Sequence, residues 1–360
     1  MIPVTKPYLP DKEKYLDYVS SIYQRQWLTN NGPLVMELEN KIKEFLKVQN
    51  LLFVANGTVA LQIAIKALDL EGEIITTPFS YVATTSSIVW EGCEPVFVDI
   101  DDSTLNIDPE KIEASITERT SAILATHCFG NACDIEAIDI IAKKHDLKVI
   151  YDAAHCFGTQ YKGKSVFEYG DISTCSLHAT KLMHSVEGGL VFTNDAELLE
   201  RMFYMRNFGH DGPEKFDGVG INGKNSEFHA AMGICVLQDV ADILAKRKNQ
   251  GLIYKKLLKT SGLKFLQIQD GCEFNYAYFP VLFESESLSL DVKQMLGKLN
   301  IYPRRYFYPS LNQLEYVKGE ACSISEDVAS RILCLPVYFD LEEEQQEEIC
   351  KTILNVLDIE

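Results

Sequence analysis

Lys181 lies in G-D-I-S-T-C-S-L-H-A-T-K-L-M-H-S-V-E-G-G, residues 170–189, among small and hydroxyl side chains. Ser176, Ala179 and Thr180 precede it, and Gly188-Gly189 follows. A lone lysine is ordinarily a solvated surface charge, but little charge surrounds this one. Upstream, Asp152 ends the apolar run K-V-I-Y-D, and farther back Asn56-Gly57-Thr58 forms a turn ahead of a helical pattern. An amine forms an imine with a carbonyl. A strand-end carboxylate holds a protonated ring nitrogen, and the N–H groups at a helix start bind a phosphate. These three parts together meet the demands of pyridoxal 5'-phosphate.

Each part has a plainer reading beside the chemical one. Asp152 by itself reads as a turn cap after a strand, and Asn56-Gly57-Thr58 as a helix cap with no ligand. As chemistry, Gly57 and Thr58 supply backbone N–H groups and a hydroxyl, and Ser176 supplies another hydroxyl. Tyr81, after Pro78-Phe79-Ser80, is placed to stack on a ring face; the chain has 17 tyrosines, so a packed core aromatic is the alternative. His155, three residues past Asp152, is a hydrogen-bond partner for Asp152 or for a phenolic oxygen. His127 in A-T-H-C-F-G is a further strand-end candidate, while His178 and His184 flank Lys181 as lining only. No H-E-x-x-H, C-x-x-C or G-x-S-x-G pattern occurs, so metal and hydrolase chemistries are disfavoured. G-V-G-I-N-G (218–223) follows no strand, which rules against a dinucleotide fingerprint.

The elements that must position these residues are legible as alternating patterns. Leu34, Leu38, Ile42 and Phe45 mark a helix over 34–47, and Ala60, Ile63, Ala64 and Ala67 another from Gly57 to about Leu70. Short apolar runs at 51–55, 73–77, 96–98, 122–126, 149–151 and 190–193 alternate with helical stretches such as 135–144 and 109–116. That alternation predicts a mostly parallel sheet covered on both faces, with ligands at the carboxyl ends of its strands. Tyr81, His127 and Asp152 all fall at such ends. A single helical region is expected over 227–258, then short strands (275–283) and amphipathic helices (290–299, 341–357). The expected division is a large α/β domain over residues 1–245 and a smaller α+β domain over 246–360.

Bulk properties bound the rest. The 360 residues carry a net charge of −18, which disfavours nucleic acid as a partner. A locally positive pocket still admits an anionic small molecule. Ten cysteines without paired spacing read as small buried hydrophobes. The opening M-I-P-V-T-K-P-Y-L-P-D-K has no apolar leader, and no run of eighteen apolar residues suggests a membrane span. A reducing cytoplasm is the expected home.

The motifs W-L-T-N-N-G-P-L (27–34), N-G-T-V-A-L (56–61), T-P-F-S-Y-V-A-T (77–84), H-C-F-G-N-A-C-D-I (127–135), D-A-A-H (152–155), S-L-H-A-T-K (176–181), E-G-G (187–189), G-I-N-G-K-N-S-E-F-H-A-A-M-G (220–233) and L-C-L-P-V-Y (333–338) recur together along nearly the whole chain. In this combination the sequence resembles the sugar aminotransferases of the DegT/DnrJ/EryC/StrS group, pyridoxal-phosphate enzymes of fold type I. The resemblance implies that Lys181 forms the covalent link to the cofactor and carries protons. It implies Asp152 on the ring nitrogen, Tyr81 on the ring face, and Gly57, Thr58 and Ser176 around the phosphate. His155 stands where many members have glutamine. The resemblance also implies a homodimer with a shared active site, in which Asn222, with Lys224 as second choice, reaches the partner's phosphate site.

Further implications concern the reaction. Lysine at position 181 favours transamination over the dehydration run by relatives with histidine there. L-glutamate is the implied amino donor and a nucleotide-linked keto sugar the acceptor. The opening segment and H-A-T-K-L-M-H-S-V-E-G-G most resemble enzymes that convert dTDP-4-keto-6-deoxyglucose into dTDP-4-amino-4,6-dideoxyglucose. Such products feed bacterial surface polysaccharides, including O-antigen lipopolysaccharide. Arg304 and Arg305 are candidates for the diphosphate, and His127 and Phe129 for the substrate. The rivals are a 3-aminotransferase acting on a dTDP-3-keto-6-deoxysugar and a non-catalytic regulator built on the same fold.

Overall fold

The computed structural model describes residues 1–317 and 319–358. At its centre is a seven-stranded sheet. In chain order the strands are β1 (Leu51–Val54), β2 (Glu73–Thr76), β3 (Glu94–Phe97), β4 (Thr120–Thr126), β5 (Lys148–Asp152), β6 (Ile172–Ser176) and β7 (Gly189–Phe192). In space they run β1-β7-β6-β5-β4-β2-β3. The neighbours from β6 to β3 pair in parallel, while β7 runs antiparallel to both β6 and β1. Every residue of β1, β2 and β7 is buried. Helices cover both faces, and for this reason the strands read as unbroken apolar runs rather than alternating ones.

Register brings the chemistry to one edge. Thr126 pairs with Asp152, and Asp152 with Thr174, at the carboxyl ends of three adjacent parallel strands. Gly189 pairs with both Ser176 and Val54, so the turn after β1 opens at the same edge.

Beyond residue 258 a three-stranded antiparallel sheet forms from β8 (Lys264–Phe265), β9 (Phe279–Leu282) and β10 (Ile332–Leu335), in the order β8-β9-β10. Helices Glu286–Lys298 and Glu343–Val356 bury Val292, Leu296, Ile349 and Ile353 against it. Each such side chain contributes ~1.5–3 kcal/mol by leaving water.

Two expectations from the sequence change. The single helix over 227–258 is two helices, Glu227–Gln238 and Val240–Leu257, bent by 59°. The break is Asp239, at φ −104° and ψ 3°, whose carboxylate accepts the Tyr8 phenol at 3.0 Å. Aspartate leaves helices readily because its side chain finds such competing partners. The strand expected over 275–283 shortens to β9, because Asn275 turns its amide to the carbonyls of His155 (2.7 Å) and Phe157 (3.0 Å). The expected domain boundary at 245/246 falls inside helix Val240–Leu257. Among the described residues no single helix is long and apolar enough to cross a membrane.

Candidate active site

The turn after β1 caps helix Gly57–Ala67. Asn56 Oδ1 accepts the Val59 N–H at 2.9 Å, and the Asn56 carbonyl accepts that of Ala60 at 3.1 Å. The N–H groups of Gly57 and Thr58 have no partner among the described residues. The turn is therefore both a capped helix start and an open donor pair for an anion. The close approach of neighbouring segments demands glycine at 189 and leaves little room for a side chain at 57. A Cβ on Gly189 would lie 2.3 Å from the Asn56 carbonyl oxygen, and one on Gly57 would lie 3.1 Å from Ser176 Cβ.

Lys181 rides on a hairpin between β6 and β7. The Leu177 N–H bonds the Gly188 carbonyl (2.8 Å) and the Ala179 N–H bonds that of Val186 (2.7 Å), leaving Lys181 in the tip. An antiparallel return needs only this short connection, whereas a parallel one would need a crossover. The oddly directed β7 is thus what delivers the lysine to the sheet edge. Its Nζ lies 3.5 Å from the Tyr278 phenol oxygen. Burial lowers the amine's pKa, opposed by the charge of Asp152, so the free amine leans toward its basic, uncharged form.

Asp152, 5% exposed, is held at both oxygens. Oδ2 accepts the Thr84 hydroxyl at 2.7 Å and Oδ1 the Ala154 N–H at 3.1 Å. Burial raises its pKa, while these hydrogen bonds and Lys181 pull the other way. Among the described residues this buried carboxylate forms no ion pair, which leaves it able to take a cationic group arriving from outside. His155 is also buried, and burial, followed by Lys181, holds its imidazole neutral. Its Nδ1 has no hydrogen-bond partner among the described residues.

A cavity of about 630 Å³ opens over these groups, a size typical of small-molecule sites. It is lined by Gly57, Thr58, Tyr81, Asp152, His155, Ser176, Lys181 and Arg304, which sequence reasoning had placed together. Tyr81 is 60% exposed at the cavity, which leaves its side chain accessible for stacking. Four other candidates lie elsewhere. His127 is fully buried, stacked on Tyr151 at 4.5 Å, with Nδ1 accepting the Cys133 N–H. Phe129 is buried behind Phe307, whose ring stacks on it at 5.5 Å. Arg305 turns away to Glu286 (2.7 Å) and the Ser330 carbonyl (2.6 Å). Asn222 is exposed outside the cavity of its own chain, its Oδ1 accepting Lys224 Nζ at 2.6 Å. Of the two flanking histidines, His178 lines the cavity and His184 bonds the Tyr8 carbonyl instead.

Sequence reasoning passed over Thr84, Tyr278, Tyr306 and Phe307, all of which touch this site or its walls. Thr84 lies in the first turn of helix Val82–Trp90, four residues past Ser80, and the two hydroxyls lie 2.7 Å apart. Tyr278 carried no local signal, because it is 97 residues from the lysine it touches. Among the described residues no group of three or more His, Cys, Asp or Glu is placed to hold a metal ion.

Comparison with known proteins agrees with this geometry. The chain is 43% identical over 360 residues to the dTDP-4-amino-4,6-dideoxy-D-glucose transaminase of Shigella dysenteriae, covering 98% of each protein. It is 34% identical to the GDP-perosamine synthase of Escherichia coli O157:H7, covering 98% of this chain and 97% of that one. Its fold matches the crystal structure of DesI with its TDP-sugar product at a TM-score of 0.94 and 30% identity, covering 99% of this chain and 93% of that one. The sequence profile of one family spans residues 10–354, and on that match the chain belongs to the DegT/DnrJ/EryC1/StrS aminotransferase family.

Proposed function

We propose that this protein is a pyridoxal 5'-phosphate-dependent aminotransferase that moves an amino group from L-glutamate to a nucleotide-linked keto sugar. The preferred acceptor is dTDP-4-keto-6-deoxy-D-glucose and the product dTDP-4-amino-4,6-dideoxy-D-glucose. The observation that carries the reaction class is that Lys181 and the buried carboxylate of Asp152 line one cavity together with the Gly57-Thr58 turn. The name of the Shigella relative supports the choice of sugar.

The residues fit the cofactor. Gly57 and Thr58 offer two free N–H groups to a phosphate, with the Ser176 hydroxyl beside them, and Asp152 offers an anion to a pyridine nitrogen. His155 and Tyr81 offer a ring wall and an open face. When bound, the cofactor supplies the electron sink that lets a bond at the amino-bearing carbon break. Everything else falls to the chain. Lys181 Nζ, shifted by burial toward its unprotonated form, takes the proton from the alpha carbon of glutamate and returns one to the sugar carbon. Hydrogen bonds from Thr84 and the Ala154 N–H favour the ionised form of Asp152 against its burial and aim the carboxylate. Arg304, at the cavity wall, supplies a cation for the diphosphate.

The working form is a homodimer with shared sites, in which Asn222 reaches the phosphate site of the other protomer. Supporting this, Phe208, Phe216, Val219 and Ile221 leave an apolar patch exposed beside Asn222. All ten cysteines are free thiols, which suits a cytoplasmic setting.

One experiment tests the proposal. Purified protein given the cofactor should show a visible absorbance that borohydride fixes to Lys181, and Lys181→Ala should lose both. Glutamate with dTDP-4-keto-6-deoxyglucose should then give an amino sugar faster than with the 3-keto isomer. A wild-type protein that binds no pyridoxal phosphate would end the enzyme reading. A faster 3-keto reaction would change the sugar.

A further inference from the structure

Tyr278 is 7% exposed, and its phenol oxygen makes one hydrogen bond among the described residues, to Lys181 Nζ at 3.5 Å. Nζ also stands 5.8 Å from the centre of the same ring. A buried phenol is costly unless its oxygen finds a partner, so the contact with the lysine is the feature to explain.

The ring itself is fixed. His155 lies 4.7 Å from it and Tyr306 meets it edge-on at 5.7 Å. The backbone leading into Tyr278 is tied as well. Arg247, fully buried on helix Val240–Leu257, donates to the Ala277 carbonyl at 2.9 Å. The Ala277 N–H bonds Asn275 Oδ1 at 3.0 Å, and Asn275 is anchored to the loop after β5. A lysine at the tip of a hairpin is thereby paired with a phenol held from three sides.

Taking the aminotransferase reading as its basis, we infer that Tyr278 is the positioning residue for the Lys181 amine. Its phenol oxygen accepts one N–H of the free amine and turns the nitrogen lone pair toward the cavity. A neutral amine has two N–H groups and one lone pair in fixed tetrahedral directions. Anchoring one N–H restricts where the lone pair points, which is what a base on a flexible four-carbon stem requires. Burial pushes the phenol's ionisation far above its usual range, so Tyr278 stays neutral throughout. The alternative is that Tyr278 is simply a wall aromatic. In that case removing its hydroxyl would leave Lys181 unchanged.

The test uses Tyr278→Phe, which keeps every ring contact. Cofactor-free protein is labelled with limiting acetic anhydride across a pH series, and acetylation at Lys181 is followed by peptide mass spectrometry. An acceptor favours the ammonium over the amine, so the variant's labelling midpoint should fall by about half a pH unit. In the loaded enzyme the limiting rate of the glutamate half-reaction should drop about tenfold, with half-saturation unchanged within about twofold. A midpoint that stays or rises overturns the inference, as does a raised half-saturation with an unchanged limiting rate. A variant that does not fold would show Tyr278 to be structural and overturn it too. The labelling needs neither cofactor nor substrate. A wild-type protein without a glutamate half-reaction refutes the aminotransferase reading, whereas an unmoved midpoint refutes this one.

Discussion

Replacing Asp152 with asparagine should stabilise the cofactor-free protein and cripple amino transfer. The two effects share one cause. Burial raises the Asp152 pKa, and its bonds from Thr84 and Ala154 do not fully offset it. A carboxyl with a raised folded pKa favours folding below its unfolded value, near 3.9. That contribution is lost as pH rises through the folded value. At neutral pH the ionised side chain therefore weighs against the empty fold, and asparagine removes that weight. The neutral amide keeps an oxygen for the Ala154 N–H, and the Thr84 hydroxyl can accept from its nitrogen. The expected gain is about 1 kcal/mol, or roughly 2 °C in melting temperature. With cofactor bound the balance reverses, because a pyridine nitrogen then loses its anion. Truncating one partner of a buried charged pair costs ~2–5 kcal/mol. At ~1.4 kcal/mol per decade, the glutamate half-reaction should slow by about 30-fold to several thousand-fold. Calorimetry of the cofactor-free protein and stopped-flow absorbance of the loaded protein read the two effects separately. A variant that melts lower when empty, or that loses less than about threefold in rate, would refute the reasoning.

Three further predictions concern the frame around the site. Glu227 is fully buried and accepts the N–H groups of Leu34 (3.0 Å) and Val35 (2.9 Å) at the start of helix Pro33–Leu46, with Arg25 at 3.6 Å. Glu227→Ala should cost about 3 kcal/mol in denaturant unfolding; Gly32→Ala, whose Cβ would lie 2.4 Å from Glu227 Cδ, should cost about 2 kcal/mol. A loss below about 0.5 kcal/mol in either would show the carboxylate to be dispensable. Burial lowers the His127 pKa to about 3, so its contribution holds above its unfolded pKa, about 6.5, and is lost as pH falls toward 3. Across that window His127→Gln should flatten the fall in stability with acid by up to about 1.4 kcal/mol per pH unit. Parallel curves for the two proteins would contradict a neutral buried His127.

Much of the fold was legible because its signals are local. Apolar runs of three to five residues with helices between them can pack in few ways other than a parallel sheet, and such a sheet binds at its carboxyl edge. Gly57, Asp152, Ser176 and Lys181 were readable for the same reason, each being fixed by the turn or strand end that carries it. The helix break at Asp239 was not, because a side-chain bond to Tyr8, 231 residues away, decides it. His127 and Phe129 were assigned to the substrate from their place after β4, a position that says nothing of which way a side chain turns. Adjacent arginines split likewise, Arg304 to the cavity and Arg305 to Glu286.

The sequence by itself pointed to a pyridoxal-phosphate site, since the types and spacings of a lysine, a strand-end carboxylate and a glycine turn are set by covalent order, and its resemblance to a known family pointed to amino transfer. It also determined the strands that bear them. Tertiary structure alone decided which groups surround the lysine's nitrogen. Tyr278, Tyr306 and Phe307 come from about a hundred or more positions further along the chain, and only its tertiary folding brings them to the cavity that Lys181 lines. Chain order records what each residue can do, but a hydrogen bond of a few ångströms between residues about a hundred positions apart depends on how the whole chain folds back on itself.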